Sequence, residues 1–379
     1  MADIDLARRL KSAREAAGLS IAEAASRMGF ANYQTLSNIE KGEREVKASE
    51  LARFAKNYFC SLSALLLGDA APEPEVHFLW RRVPATERKV EVEASIRHRF
   101  EQYHLLEQLL GIAPGGSVMQ FAIEPANILT NSQIEVLAER IGNTLNLGSR
   151  PALSLGMVME QVLQIKILYV DLAEFGSAAA TVHAHYGAAI IVNSDEAPWR
   201  INFTLAHELF HILAWNAFPP TEIEQNMALF RDMERKADRF ASSLLLPGSE
   251  VRKELESRIV NRKLEYADLI DVAREFGVST QAMLYRMANM GLIPWEIADE
   301  AAKSEELTTL DRRKRKRGES TKPTSDRFIR LAVKCLRKGL ISRGKFAEIL
   351  EIERPEIDRI LELGGLTEAE GAAIEIVAP

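Results

Sequence analysis

The sequence predicts an α+β, multidomain fold, in which a helical N-terminal domain precedes a module with a small sheet and a helical C-terminal region. Apolar residues recur at helical spacing over residues 5–68 and again over 327–361. Between these stretches, the short apolar runs at 166–170 and 188–192 have the length of strands. Because 379 residues, 47% of them hydrophobic, are too many for one small core, we expect two or three globular units.

Charge, cysteine content and hydropathy exclude several classes of protein. A formal net charge of −6 and a pI near 5.8 do not mark the whole chain as a nucleic-acid binder, so DNA binding must be argued segment by segment. Cys60 and Cys335 lie far apart without C-x-x-C spacing, which excludes a disulfide framework and a cysteine zinc finger. The N-terminus lacks a signal-peptide pattern, and no apolar run approaches the ~20 residues of a membrane span. We therefore expect a cytoplasmic protein with no membrane partner.

The N-terminal domain is predicted from short amphipathic helices that end at glycines. The glycines that follow the first three periodic segments are Gly18, Gly29 and Gly42. A helix end favours a left-handed residue at this position. Ser20, followed three residues later by Glu23, offers a capping box for the second helix. Two prolines and acidic charge at 69–75 then interrupt the pattern and indicate the end of the domain.

The remaining elements are predicted from the same periodicities. Further helical stretches are Arg88–Leu110, Ile134–Leu145, Leu153–Gln161, Glu222–Leu245 and Glu265–Leu292. Strands are expected at Lys166–Val170 and Ala188–Val192, with His183–Tyr186 as a candidate third strand. The charged stretch 311–326 contains the basic run Arg312–Arg317, and we expect a disordered connector there. A nonspecific phosphate clamp is the alternative interpretation of that run.

The segment His207-Glu208-Leu209-Phe210-His211 is the most specific chemical signal in the chain. Residues four apart lie on one face of a helix, so both imidazoles can reach one Zn²⁺ while Glu208 points toward its open side. With 7 histidines among 379 residues, chance predicts roughly 0.02 such strings. The alternative is a pair of histidines satisfied by ordinary hydrogen bonds.

A third protein ligand is required, because a catalytic zinc site takes three and leaves the fourth position open. Glu234 extends by one turn an apolar helical stripe over 237–245, where a carboxylate needs a cation. Asp238 shares that face and suits the second ring N–H of a ligating histidine. A solvated charge and a surface salt bridge are the respective alternatives. Rival ligands are Glu222, Glu224 and Asp232.

These residue types predict zinc-dependent hydrolysis of a peptide bond. Zn²⁺ polarises the scissile carbonyl and lowers the pKa of its bound water toward ~7, and Glu208 moves the proton to the leaving amine. Ala188–Asn193 is a candidate edge strand that would hold an extended substrate by strand addition. Candidates for oxyanion or substrate contacts are His183, His185, Tyr186 and Asn193. A purely structural role is the alternative for these polar residues.

A longer pattern surrounds the histidine motif. It consists of Asn193, Phe203-Thr-Leu-Ala-His-Glu-Leu-Phe-His211, Glu234, Ala237, Phe240-Ala241 and Leu244-Leu-Leu-Pro247. Over about residues 130–250 the chain thus resembles the ImmA/IrrE family of zinc metallopeptidases. The resemblance implies a zincin-like module in which both histidines and Glu234 bind zinc, Glu208 is the base, and the substrate is a helix-turn-helix repressor. Phe210 stands where family members often carry glycine, and we expect it to narrow the cleft beside the metal.

The N-terminal helices carry a second family pattern. It consists of Leu19-Ser20, Ala24-Ala25, Gly29 and Leu36-Ser-Asn-Ile-Glu-Lys-Gly42. These residues resemble an XRE-type, lambda-repressor-like helix-turn-helix domain, which implies that the second helix of the pair enters the major groove of DNA. Candidates for base contacts are Asn32, Tyr33, Gln34, Ser37 and Asn38, and candidates for phosphate contacts are Lys41, Arg44 and Lys47. A protein-interaction domain is the alternative.

Together these patterns predict a DNA-binding regulator that carries a zinc-dependent, gluzincin-like metalloendopeptidase. Its expected partners are double-stranded DNA, a protein substrate such as a transcriptional repressor or an antitoxin, and a second copy of the chain in a homodimer. The alternative is a non-proteolytic transcriptional regulator whose zinc module is sensory or structural, although a structural zinc site has no use for Glu208. The predicted domains are 1–69 helix-turn-helix, 70–126 linker and connecting helix, 127–250 metallopeptidase, 251–310 helical extension, 311–326 basic linker and 327–379 C-terminal helical region.

Overall fold

A computed structural model describes residues 3–67, 76–80, 89–113, 118–124, 129–172, 176–184, 186–261, 263–315 and 325–363. The first helices are α1 Ile4–Ala16, α2 Ile21–Arg27, α3 Tyr33–Glu40, α4 Ala48–Asn57, α5 Leu62–Leu67 and α6 Lys89–Leu109. Those that follow are α7 Asn131–Thr144, α8 Leu155–Gln161, α9 Pro198–Ala214, α10 Pro220–Gln225, α11 Met227–Leu245, α12 Gly248–Glu256 and α13 Tyr266–Glu275. The last are α14 Thr280–Asn289, α15 Trp295–Lys303, α16 Glu305–Arg315, α17 Asp326–Arg337, α18 Arg343–Leu350 and α19 Glu356–Leu363.

The strands are β1 Leu79–Trp80, β2 Lys166–Val170, β3 Ala178–His183 and β4 Gly187–Asn193. Short 3₁₀ turns lie at Val118–Phe121 and Pro151–Leu153. Helices around this small mixed sheet confirm the predicted α+β class. Among the described residues, no helix combines the length and hydropathy that crossing a lipid bilayer requires.

The helix-turn-helix region forms the predicted short helices around its own core. Leu10, Leu36 and Phe54 are fully buried and belong to one cluster. The predicted capping box is present, since Ser20 accepts from the backbone of Glu23 while the Glu23 carboxylate accepts from the backbone of Ser20. All three predicted left-handed glycines have φ between 70° and 73°, which confirms that each ends a helix.

The sheet has the strand order β1-β3-β4-β2. β4 pairs parallel with β2 on one side and antiparallel with β3 on the other, so the predicted edge strand Ala188–Asn193 is in fact a central strand. Its residues 188–193 are all buried, and a continuous apolar run is typical of a strand covered on both faces. The strand predicted over His183–Tyr186 is also not formed as expected: β3 ends at His183, Ala184 and Tyr186 lie in turns, and β4 begins at Gly187, whose φ is 78°.

Two predicted long helices are each divided in two by local capping. Asn226 separates α10 from α11, and its side chain accepts from two backbone N–H groups at the start of α11. Gly277, with a φ of 66°, separates α13 from α14, and the hydroxyl of Ser279 caps α14. An asparagine or serine at a helix start and a glycine at a helix end stabilise these breaks.

The first residues of the basic run Arg312–Arg317 are helical and do not form a disordered connector. α16 continues to Arg315, where the sequence analysis places a disordered stretch from residue 311. The ammonium of Lys314 contacts Asp271 at 2.6 Å, and the guanidinium of Arg315 donates to Asp311 at 2.7 Å and to the carbonyl of Val278 at 3.0 Å. These contacts neutralise part of the positive charge of the basic run, which explains why α16 extends to Arg315. Lys316, Arg317 and residues 318–324 lie outside the described residues.

The chain divides into two compact units. One holds α1–α6, α18 and α19, and the other holds the sheet with α7–α16. A domain boundary is predicted at residue 250, but the hydrophobic core of the sheet unit continues through Leu269, Ala298 and Leu307. The predicted helical extension is therefore part of the same core as the histidine motif.

A buried carboxyl in the sheet unit makes stability depend on pH. Burial and the charge of Asp326 raise the pKa of Glu160 to about 7, although the backbone N–H of Arg327 opposes the shift. The folded protein therefore holds a proton that the unfolded chain releases near pH 4.5. The resulting stabilisation is complete below that pH and is lost as the pH rises through 7. Glu160→Gln should be about 3 kcal/mol more stable than the natural chain at pH 8 and nearly equal at pH 4.5, as measured by urea unfolding. A gain that does not change with pH would contradict this assignment.

Candidate functional site

The histidine motif lies on α9, a helix that is buried almost throughout. Pro198 occupies its first turn, where a missing N–H costs nothing. Its residues from Thr204 to Ala214 are all buried, between β3 and β4 and the neighbouring α11. His207, Glu208 and His211 are 0%, 1% and 3% exposed. Polar side chains buried to this degree need partners, because burying them without any costs several kcal/mol.

The third residue of the centre comes from α11, which packs directly on α9. The Nε2 atoms of His207 and His211 lie 3.1 Å apart. The carboxylate of Glu234 contacts both of them, with Oε1 at 3.1 Å from His211 Nε2 and Oε2 at 3.5 Å from His207 Nε2. Among the described residues, these three form the group whose geometry would hold a metal ion. The rivals Glu222, Glu224 and Asp232 are not part of that group.

The spacing of these atoms fits a tetrahedral ion. Metal–ligand bonds of about 2.0–2.1 Å in tetrahedral geometry place the ligand atoms about 3.3 Å from one another. The three observed separations lie between 3.1 and 3.5 Å. Two imidazoles and one carboxylate are also the donor set of a catalytic zinc site that leaves its fourth position open.

Hydrogen bonds favour the forms of His207 and Glu234 that can bind a cation. Asp238, one turn after Glu234 on α11, accepts from His207 Nδ1 at 2.8 Å. That bond fixes the tautomer in which His207 Nε2 presents its lone pair to the centre. Burial raises the pKa of Glu234, but contacts with His207 and His211 more than offset it and bring the pKa to about 2. The carboxylate is therefore ionised at neutral pH.

Phe210 does not face the centre in the way expected from the sequence. It is fully buried, and its ring packs against that of Phe240 with centroids 5.6 Å apart. Both rings belong to the hydrophobic core of the sheet unit. The expectation that Phe210 narrows the cleft is therefore wrong, because this position on α9 faces the core.

The predicted oxyanion and substrate residues lie at the β3–β4 turn and at the end of β4. The rings of His183 and Tyr186 stack at 4.5 Å. The side chain of Asn193 accepts from the backbone of Leu172 and Asp195 and donates to the carbonyl of Gly176. These contacts shape loops, so their role in substrate binding stays a prediction. His185 lies outside the described residues.

The predicted DNA-contacting residues gather on and after α3, the second helix of the helix-turn-helix pair. Tyr33 is 57% exposed. Gln34 Nε2 donates to Asn38 Oδ1 at 3.0 Å, which keeps the two amides side by side. Arg44 pairs with Glu50 at 2.8 Å, so less of its charge is available to a phosphate than that of the exposed Lys41. The structure brings these residues together with Ser37, and Asn32 also caps α3.

An aromatic cleft near His207 was not predicted from the sequence. Phe203 lies on α9 one turn before His207, and this spacing of four residues was a signal visible in the sequence. Tyr285 of α14 and Trp295 of α15 also line the cleft. No local pattern connects residues so distant in sequence with the histidine motif, so they require the tertiary structure.

Two family models match the chain. The model of the IrrE N-terminal-like domain, of the M78 peptidases, matches residues 160–288, and a helix-turn-helix domain model matches residues 5–62. The first match includes α9, α11 and α14 up to residue 288. No curated protein matches the chain. Residues 160–288 are thus similar to the IrrE N-terminal-like domain of the M78 peptidases, and residues 5–62 of the same chain are similar to a helix-turn-helix domain.

Proposed function

We propose that the chain is a zinc-dependent metalloendopeptidase of regulatory function, which cleaves a protein partner such as a transcriptional repressor or an antitoxin. The observation that carries this proposal is the spacing of 3.1–3.5 Å among the ligand atoms of His207, His211 and Glu234. Glu208 follows the first ligand directly and has no part in that set. A carboxylate in this position is needed for hydrolysis and not for a structural zinc site.

Each side chain has a separate task in the proposed reaction. Zinc, when bound, polarises the scissile carbonyl and acidifies the attacking water. Glu208 accepts the proton of that water and delivers it to the nitrogen of the leaving amine. Asp238 keeps His207 in the ligating tautomer. The packing of α11 on the buried helix α9 holds these groups in place, so that little reorganisation is needed during the reaction.

The experiment compares cells that express the full-length chain with cells that express its Glu208→Gln variant. Sequencing the N-termini of all cellular proteins should reveal a small set of new N-termini, on a DNA-binding regulator or antitoxin, only with the natural chain. The same site should be cut by the purified zinc-loaded protein. If both samples give identical N-termini while the transcripts of target genes change, the chain is the non-proteolytic regulator considered as the alternative.

We also propose that α3 reads base edges in the major groove of double-stranded DNA. The amides of Gln34 and Asn38 suit adenine edges. Replacing both with alanine should weaken binding to a selected DNA sequence by roughly 10- to 100-fold and leave binding to random DNA nearly unchanged. Fluorescence anisotropy with DNA selected from a random pool by the natural chain would measure both affinities.

The matched control for this double variant is Lys56→Ala, at an exposed position of α4, which should leave both affinities unchanged. Equal weakening on selected and random DNA would instead place the two amides at the phosphate backbone. No change in either affinity would remove α3 from the DNA interface.

A further inference from the structure

A cleft of about 690 Å³ opens within the sheet unit between α9, α11, α14 and α15. Four aromatic residues contribute to its walls: Trp199, Phe203, Tyr285 and Trp295. Trp199 and Phe203 are half-buried, and Trp295 is 48% exposed. Aromatic surface left accessible in a concave site of this volume is typical of a binding site.

The cleft adjoins the proposed catalytic centre through Asp238. Phe203 lies one helical turn before the ligand His207, on the same face of α9. Asp238 lines the cleft and also accepts from His207 Nδ1 at 2.8 Å. When the scissile bond of a peptide lies at the centre, the side chain of an adjacent residue of that peptide can therefore reach this cleft.

Contacts within the unit fix the aromatic walls before any ligand arrives. The guanidinium of Arg315, at the end of α16, lies 4.2 Å from the ring centroid of Trp199. The rings of Tyr285 and Trp295 pack with centroids 5.8 Å apart, and Gln281 donates to the Tyr285 hydroxyl at 3.2 Å. Walls held in this way bind without a large loss of side-chain entropy.

Charge does not select the occupant of the cleft. Each cation at its rim has a carboxylate partner: Arg200 pairs with Glu196, both Arg235 and Lys236 pair with Asp232, and Arg239 pairs with Glu135. The selective features that remain are the aromatic faces and the hydroxyl of Ser242. That hydroxyl is buried in a residue only 7% exposed and has no hydrogen-bond partner among the described residues.

We infer that this cleft is the specificity subsite of the peptidase and receives an aromatic side chain next to the scissile bond of the protein substrate. The inference rests on the proposed function and adds to it the class of residue that directs cleavage. Offset ring packing against the aromatic walls would favour phenylalanine, tyrosine or tryptophan over alanine. The Ser242 hydroxyl would offer a partner to the polar edge of tyrosine or tryptophan.

The test uses quenched fluorescent decapeptide pools, each with one residue type fixed at one position, and the zinc-loaded full-length chain. Pools with an aromatic residue at one position should be cleaved with a kcat/KM at least roughly 10-fold above the alanine pool. Ala282→Trp, which fills the cleft from α14, should remove this preference. The milder Trp295→Ala, at a half-exposed position, should reduce the preference if Ala282→Trp does not fold.

The matched control is Ala302→Trp, a half-buried position on α15 outside the cleft, which should retain the aromatic preference. Cleavage without any aromatic preference, or a preference that both cleft variants retain, would overturn the subsite. Binding of the same pools to the Glu208→Gln variant separates this failure from that of the proposed function. If the natural chain cleaves no pool, but aromatic pools bind selectively and Ala282→Trp removes that binding, the subsite is kept and the peptidase is rejected. If there is neither cleavage nor selective binding, both proposals are rejected.

Discussion

Glu208→Gln should lower kcat/KM for the protein substrate by roughly 10²- to 10⁴-fold, the range expected for loss of a general base. The amide has nearly the same shape as the carboxylate but cannot accept the proton of the attacking water. His207, His211 and Glu234 are untouched, so the zinc content should remain one ion per chain. Cleavage is measured by gel or mass spectrometry on the substrate that the N-terminal sequencing identifies, and zinc by elemental analysis.

The matched control for that variant is Glu139→Gln, the same chemical change at an exposed position of α7. Its rate should equal that of the natural chain. A Glu208→Gln protein that still binds zinc and cleaves at the natural rate would show that another group moves the proton. If the variant loses zinc or unfolds, the role of Glu208 must instead be to support the ligands.

Glu234→Gln should weaken zinc binding by more than about 100-fold, since loss of an outer-shell partner alone costs 10- to 100-fold. The neutral amide removes the charge that the ion requires, at a position whose carboxylate has a pKa of about 2. Zinc at 100 times its Kd stabilises the natural fold by about 2.7 kcal/mol. For a unit of this size that corresponds to a rise in Tm of roughly 5–10 °C. The variant should show no such rise in calorimetry.

Glu222→Gln is the control for this prediction, because Glu222 is exposed on α10 and is a rival ligand from the sequence. It should bind zinc like the natural chain and keep the full rise in Tm. Stoichiometric zinc with an unchanged Kd in Glu234→Gln would exclude Glu234 as a ligand. The distances of 3.1 and 3.5 Å to the two imidazoles would then have to be explained by hydrogen bonds alone.

Features that depend on neighbours in sequence could be predicted without the fold. The capping box of Ser20 and Glu23 and the left-handed glycines after α1, α2 and α3 are local backbone events, and the structure confirms them. β2 was predicted with its observed bounds, Lys166–Val170. The pairing of His207 with His211 follows from helical spacing, and the choice of Glu234 from an apolar stripe on one face.

Errors arose where distant parts of the chain decide the outcome. The sequence of a strand such as Ala188–Asn193 does not show how many other strands pair with it. β2 pairs with the edge of this strand that was predicted to be free. The basic run was taken as solvated because Asp271 and Trp199, which contact Lys314 and Arg315, are far away in sequence. Phe210 was expected to narrow the cleft beside the metal. The sequence does not show that its ring packs against Phe240 of another helix, and that contact decides its orientation.

The sequence by itself determined that His207, Glu208 and His211 lie on one helix, in the same chain as a helix-turn-helix pattern. It did so because spacing along a helix follows from backbone geometry alone. Only the tertiary structure decided that Glu234 reaches both imidazoles, that β4 is central, and that aromatic residues from three helices line one cleft. Packing brings these groups together through burial of apolar surface, which depends on the whole core and is not encoded in any single segment.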